Sequence, residues 1–361
     1  MNPPLERRYN RRVNSIEWRG AMLFLLACLC VVFPAHARAE STLLDPGPAP
    51  VVVAMMRSGS ITIRTWDHPQ VQIDSDGQVQ SQQIPPEEVQ RRFPAQIPLV
   101  AQTLRTPRGP ISLPPERFVA PPLPPGPHSG IVVRGYGKTT ITIPRDTAMV
   151  IARVGRGFVA IRGYRRGFFV ALVHTGRVQL NGVSGTGAVQ VLSGPIVAVN
   201  SSFTRLRART VRGNLIFEGC NAMQIEASSV LGSIAYDNGR FQPGLAHFQS
   251  EHGNVALGIA SGGVQIGAHS AAGHIYSDLG SGENVQSSAN DARAILNGGG
   301  PVVTATSGTG AVILYHGSIR EHPQLQRRLP MFRATILRRP PARRPATFRR
   351  PPAFRRGKPP S

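Results

Sequence analysis

Arginine pairs dominate the chemistry available to this sequence. Arg338-Arg339, Arg343-Arg344, Arg349-Arg350 and Arg355-Arg356 recur near the C-terminus, with Phe348 and Phe354 between them. A guanidinium offers a planar fork of donors that matches phosphate or carboxylate, so these pairs suit an anionic polymer. Lipopolysaccharide, acidic polysaccharide and extracellular DNA are the partner classes this implies. A second set, Arg153, Arg162, Arg177, Arg205, Arg207, Arg209 and Arg212, falls in strand-like segments. It predicts a positively charged exposed strand face, with Arg177, Arg205, Arg207, Arg209 and Arg212 as its binding residues. The basic tail would equally serve as a solubilising segment with no dedicated partner.

Catalytic signals are thinner. The carboxylates of 131–319 are Asp146, Glu218, Glu226, Asp237, Glu251, Asp278, Glu283 and Asp291, none forming a close sequence pair. Glycan cleavage needs two carboxylates, or a cation bound by clustered ones, on a single face. Asp237 and Glu251 are the two that could converge, but they read as solvated turn positions. His247/His252 and His269/His274 are each five apart, with no flanking ligands at metal-binding spacing. Cys28 and Cys30 lie in the apolar leader, so the processed chain keeps Cys220 alone and cannot form an intramolecular disulfide. No basic partner lies near Cys220, which reads as a small buried hydrophobe. Gly135-Tyr-Gly137 and Gly185-Thr-Gly187 are followed by no helix pattern and read as turns, not phosphate loops. The expectation is a binding protein without catalytic residues, metal or cofactor. The alternative is a carbohydrate-active β-helix enzyme, a polysaccharide lyase or hydrolase.

The elements that must position these residues follow from the pattern of the chain. Its 361 residues carry a formal net charge of +22, with 38 Gly and 33 Pro, enough for a folded core but rich in turn and linker residues. Arg7, Arg8, Arg11, Arg12 and Arg19 precede the apolar stretch 21–33, which Ala37-Arg-Ala39 follows. A basic region, a short apolar run and an A-x-A site describe a secretory signal peptide cut between Ala39 and Glu40. A short membrane anchor is the competing reading of the same stretch, and Leu25-Leu-Ala-Cys28 faintly resembles a lipoprotein box. Export to the periplasm or cell surface is expected, and the processed chain has no run of about 20 apolar residues that could span a bilayer.

Residues 40–76 read as N-terminal strands at the edge of a sheet, with apolar and polar residues alternating in Ser60-Ile-Thr-Ile-Arg-Thr65 and Gln70-Val-Gln-Ile-Asp74. The pattern then collapses over 77–129, where proline accumulates. Proline withholds a ladder donor, so this segment reads as a surface insertion or linker, with a short helix at 86–93 favoured by Pro86-Glu-Glu88.

Over 130–319 the unit Gly-x-apolar-x-apolar returns, as in Gly157-Phe-Val-Ala-Ile161, Gly176-Arg-Val-Gln-Leu180, Gly213-Asn-Leu-Ile-Phe217 and Gly253-Asn-Val-Ala-Leu257. Successive glycines stand about 19 residues apart, with a second short strand between them. Two strands of three to five residues cannot bury their own apolar face, so neighbouring repeats must stack on a shared core. The predicted fold class is all-β: a single β-solenoid of about 19-residue two-strand repeats, with disordered Pro/Arg-rich segments. A β-sandwich is the competing arrangement.

The segments 147–157, Gly176-Arg-Val-Gln-Leu-Asn-Gly-Val-Ser-Gly185, Arg207-Ala-Arg-Thr-Val-Arg-Gly213 and Ser60-Ile-Thr-Ile-Arg-Thr-Trp-Asp67 resemble the bacterial putative-adhesin domains of unknown function. The resemblance spans 131–316 together with 51–76. It implies an exported β-solenoid and an adhesin-like role. The Pro-rich insertion, the irregular stretch 238–250 and the basic tail fall outside the family's pattern. That tail, 320–361, holds thirteen cations against the single Glu321, and its repeated prolines predict an extended, disordered segment.

Overall fold

The computed structural model describes residues 40–92, 96–99, 102–106, 109–113, 116–119, 122–123, 125–279 and 284–328. The stretch 1–39 read as a signal peptide, the expected cleavage after Ala39 and the arginine pairs from Arg338 onward lie outside them. Strand accounts for 67% of the structure and helix for 4%, so the fold class is all-β as expected.

In chain order the elements begin β1 (Glu40–Leu44), β2 (Val51–Trp66), β3 (Val71–Ser75), β4 (Val79–Ile84) and helix α1 (Pro86–Arg92). There follow β5 (Gln96–Leu99), β6 (Gln102–Thr106), β7 (Gly109–Leu113), β8 (Glu116–Val119), β9 (Gly130–Pro144), β10 (Met149–Arg162) and β11 (Phe168–Asn181). The middle of the chain supplies β12 (Ser184–Ser193), β13 (Ile196–Val199), β14 (Ser202–Arg212), β15 (Leu215–Glu218), β16 (Asn221–Leu231) and β17 (Ile234–Phe241). Then come β18 (Leu245–His252), β19 (Val255–Ile259), β20 (Val264–Ser270), β21 (Ile275–Asp278), β22 (Asn284–Ser287), β23 (Asp291–Leu296), β24 (Val302–Ser307) and β25 (Val312–His316). A 3-10 turn at Ile319–Glu321 and helix α2 (Pro323–Arg328) end the described chain.

The long strands pair in parallel, layer upon layer. Ile151 of β10 faces Val170 of β11, Ala188 of β12 faces Arg207 of β14, and Arg207 faces Glu226 of β16, each an offset of 19 residues. A second ladder runs beside the first through β11, β13, β15, β17, β19 and β25. Strands β11, β12, β14, β16, β17, β15 and β13 close a seven-strand ring. It closes because β11 belongs to both ladders and because Arg240 and Phe241, ending β17, lie against Asn221 and Ala222, opening β16.

One continuous core fills the interior between the ladders. Its inward positions alternate along each strand, as the two-residue period requires: Val150, Ala152 and Val154 on β10, then Phe169, Ala171 and Val173 on β11. One inward column changes character. It runs Met56, Val154, Val173 and Val191, then turns to Thr210, Ser229, Ser250, Ser307 and Ser270, all buried. Each of those hydroxyls donates to a corner glycine carbonyl: Thr210 to Gly194 at 3.2 Å, Ser229 to Gly213 at 3.0 Å, Ser250 to Gly232 at 2.7 Å, Ser307 to Gly253 at 2.8 Å and Ser270 to Gly310 at 2.7 Å.

Layer order departs from sequence order at both ends. β2 is not an edge strand: it lies between β9 and β10, although β9 follows it in the chain. At the far end β24 and β25 insert between β18–β19 and β20–β21. The reason is edge protection. The outermost strand at one end, β9, is covered by antiparallel β3 and β4, and at the other end β20 is covered by antiparallel β23, which carries β22. These returning strands replace open parallel edges that would otherwise template further pairing.

The 77–129 insertion is more ordered than its prolines imply. β5 pairs β8 and β6 pairs β7, each a two-stranded ribbon in which Pro98 and Pro110 are tolerated because an edge strand has a side that owes no donor. Pro86 opens α1 with Glu87 and Glu88 in the first turn, as expected. Ile84 and Val89 cover the outward apolar residues Val51, Val53, Val132, Met149, Phe168 and Val170. The tail boundary also shifts: residues 319–328 are helical and lay Ile319 and Leu325 on outward Ile216, Ala235, Ala256 and Ile313.

Removing one corner hydroxyl tests the serine column. Ser229→Ala leaves the Gly213 carbonyl buried without that donor and should cost about 1–3 kcal/mol in urea unfolding, with secondary structure unchanged. A loss within ±0.5 kcal/mol would place that carbonyl's partner elsewhere.

Candidate binding surface

The outward side of the first ladder carries the predicted arginines in part. Arg205, Arg207 and Arg209 alternate along β14 and project away from the core, since Leu206 and Ala208 between them are buried. Each meets the residue 19 positions on in β16. Arg205 Nε donates to Gln224 Oε1 at 2.9 Å, Arg207 pairs with Glu226 at 2.6 Å, and Arg209 Nε donates to Ser228 Oγ at 3.2 Å. Glu226 therefore offsets the charge of Arg207. Arg205 rests on the neutral Gln224 and keeps its own, and Arg209 meets the neutral Ser228 hydroxyl.

The rest of the set is divided. Arg153 shares a column with Arg209, but Leu172 and Gln190 lie between them. Arg177 stands over the Phe158 ring of β10 at 5.3 Å, and Arg162 lies four residues further along β10, opposite Asn181. Arg212 is exposed at the end of β14. The binding face expected from the sequence is thus a three-arginine row on β14 with outliers, not one continuous stripe.

Asp237 corrects the reading of a solvated turn. It is fully buried, and its carboxylate accepts from Tyr315 Oη at 2.9 Å, Ile319 N at 2.7 Å and Ser318 Oγ at 3.1 Å. These donors tie the C-terminal segment to β17. Burial raises the Tyr315 hydroxyl well above the ordinary tyrosine range, and the Asp237 charge adds to the shift, so the phenol stays protonated as a donor. Nearby, Arg320 reaches Glu218 at 2.8 Å and His322 reaches Asp278 at 2.8 Å. Glu251 is exposed on β18 and shares no contact with Asp237 here.

Four of the carboxylates a lyase or hydrolase would draw on are each paired with one base: Glu218 with Arg320, Glu226 with Arg207, Asp278 with His322 and Asp291 with His269. Among the described residues no three His, Cys, Asp or Glu side chains gather at metal-binding distance. Cys220 is buried against the carbonyls of Ala198 and Glu218, and burial pushes its thiol up to about 12, which withholds the thiolate a nucleophile needs. No described helix is long and apolar enough to cross a membrane.

One feature escaped the sequence reading. At the C-terminal end of the stack, an open trough of about 610 Å³ lies over Gly267, between Thr304 of β24, Gln286 of β22 and Arg293 of β23. His269 and Asp291 pair across its floor at 2.8 Å. Strands β20 and β23 supply its base, and only their antiparallel register, invisible in the sequence, brings these residues together.

Known proteins add little to this picture. No family model matches the chain, and no curated protein matches it. A crystal structure of a putative cell adhesion protein from Clostridium sporogenes aligns with 77% of this chain and 99% of its own at 10% identity, with a TM-score of 0.21.

The Asp237 clasp makes a direct prediction. Asp237→Ala leaves the Tyr315 hydroxyl and the Ile319 amide buried without their acceptor, at about 1–3 kcal/mol for each. Trypsin should then cut at Arg320 and Arg327 many times faster than in the parent, while the strand signal in circular dichroism persists. Unchanged cleavage would show that the clasp does not hold the segment.

Proposed function

We propose that this chain is an exported, non-enzymatic β-solenoid that binds anionic polymers at the cell envelope or surface, in the manner of an adhesin. The solenoid reading rests on parallel layers repeating every 18 to 21 residues with a glycine at one corner of each layer. Export rests on the basic, apolar and Ala-x-Ala pattern ahead of Glu40.

The observation that carries the binding reading is the β14 row. Alternate residues on a strand stand roughly 7 Å apart on one face. Arg205, Arg207 and Arg209 so spaced are held side-on by Gln224, Glu226 and Ser228, which fixes the guanidinium planes before a ligand arrives. Preorganised forks lose little side-chain freedom on meeting a polyanion. The C-terminal arginine pairs add a long-range attraction of the same sign, and the strong positive charge that remains once residues 1–39 are removed favours fast encounter with acidic polymers.

Retention on immobilised heparin tests this. Arg205→Gln with Arg209→Gln should lower the eluting salt and reduce the slope of log affinity against log salt by about two, one for each lost phosphate-like contact. Deleting 329–361 should lower retention further. A double variant that elutes with the parent protein would refute the β14 face as the binding surface.

A further inference from the structure

Gly267 has no structural reason to be glycine. At the corners of the stack a Cβ would strike the backbone of the neighbouring layer: at Gly176 it would meet the Gly157 carbonyl, and at Gly213 the Gly194 carbonyl. Other glycines of the described strands and turns adopt left-handed backbone or meet close neighbours. Gly267 does neither. Its φ lies outside the left-handed region and a Cβ there would meet nothing within 4 Å. A glycine in the middle of a strand gives up side-chain packing and marks a place where something else approaches the backbone.

Its neighbours show what approaches. The outward column through this position reads Ala188, Arg207, Glu226, His247 and Thr304, then Gly267, then Arg293. The missing side chain opens the trough between Thr304 and Arg293. Within it, Asp291 is taken by His269, directly across the strand pair. Arg293 faces Gly267 on one side and the neutral Gln286 on the other, so its guanidinium has no carboxylate beside it in either strand pairing. The trough thus offers a guanidinium fork, a threonine hydroxyl, a carboxamide and the Asp291 carboxylate around bare backbone. A fork matches a carboxylate, while the hydroxyl, the amide and Asp291 match a ring of sugar hydroxyls.

We infer that the Gly267 trough binds one carboxylated sugar residue of an acidic polysaccharide. Arg293 takes the sugar carboxylate, and Thr304, Gln286 and the Asp291 oxygen that His269 does not engage take its hydroxyls. This deepens the polymer-binding reading by naming a ligand class and a second locus, and it depends on a different set of residues from the β14 row.

Titration calorimetry of the full chain with a trigalacturonate decides it. The parent protein should bind with one site per chain. Gly267→Val, which the open space accommodates, and Arg293→Gln should each weaken that binding at least tenfold, with urea midpoints unchanged and retention on immobilised dextran sulfate, which carries no uronate, also unchanged. Methyl esterification of the trisaccharide should weaken binding to the parent protein to the same degree. Equal affinity in parent and variants, no uronate binding by a parent that still binds heparin, or displacement by inorganic phosphate at equal concentration would each overturn the inference. Loss of heparin retention in Arg205→Gln/Arg209→Gln alone bears on the β14 face and not on the trough.

Discussion

The approach of backbone to backbone at the corners sets everything else in this fold. At Gly59, Gly157, Gly176, Gly194 and Gly213 a Cβ would land on the carbonyl of the glycine one layer below, so the column admits no side chain at all. Contact that close is available only if every layer keeps the same register. A slip of one residue would place a side chain at the corner and would also turn the inward column outward. Register, corner and core are therefore one constraint. The corner carbonyls left facing inward are met by Thr210 and the four serines that follow it, which is why a core position turns polar without becoming unsatisfied.

A stack held this way is open-ended by nature, since each layer is a template for the next. The chain ends it by returning on itself. β9 and β24–β25 are laid down out of order, and the successive strands β3 and β4 at one end and the hairpin β22–β23 at the other run antiparallel across the terminal layers. The same returns create surface features. The insertion that follows β4 buries outward valines, the C-terminal turn is clasped by Asp237, and the β22–β23 hairpin walls the Gly267 trough. Capping and ligand-sized relief thus share one device.

Much of the stack was legible because glycine spacing and two-residue alternation are local. Gly157, Gly176, Gly194 and Gly213 announced the corners, and Val159, Val178, Ile196 and Leu215 the strands beyond them. The second corner was harder to read, since left-handed backbone there is shared between Gly163, Gly182 and Gly219 and the asparagines Asn200 and Asn238, which no single-residue pattern reveals. Long-range choices left no local trace. Nothing in Val51–Trp66 tells that β10 and β9 flank it, and nothing near Asp237 tells that Ile319, over eighty residues on, will bury it. The continuous run Val51-Val-Val-Ala54 was the available hint, because a strand apolar on both faces must be covered on both.

Layer order at the N-terminal end tests the account most directly. Arg64 of β2 faces Arg162 of β10 and Thr142 of β9, whereas Thr142 and Arg162 are separated by the whole of β2. Adjacent strands lie roughly 4.8 Å apart, within reach of a disulfide, and the second neighbour at twice that distance is not. In protein lacking residues 1–39, oxidation should therefore cross-link Arg64→Cys with Arg162→Cys quantitatively, and leave Thr142→Cys with Arg162→Cys as free thiols. Cross-linking of the second pair and not the first would mean that the layers at this end follow sequence order, contradicting the placement of β2 between β9 and β10.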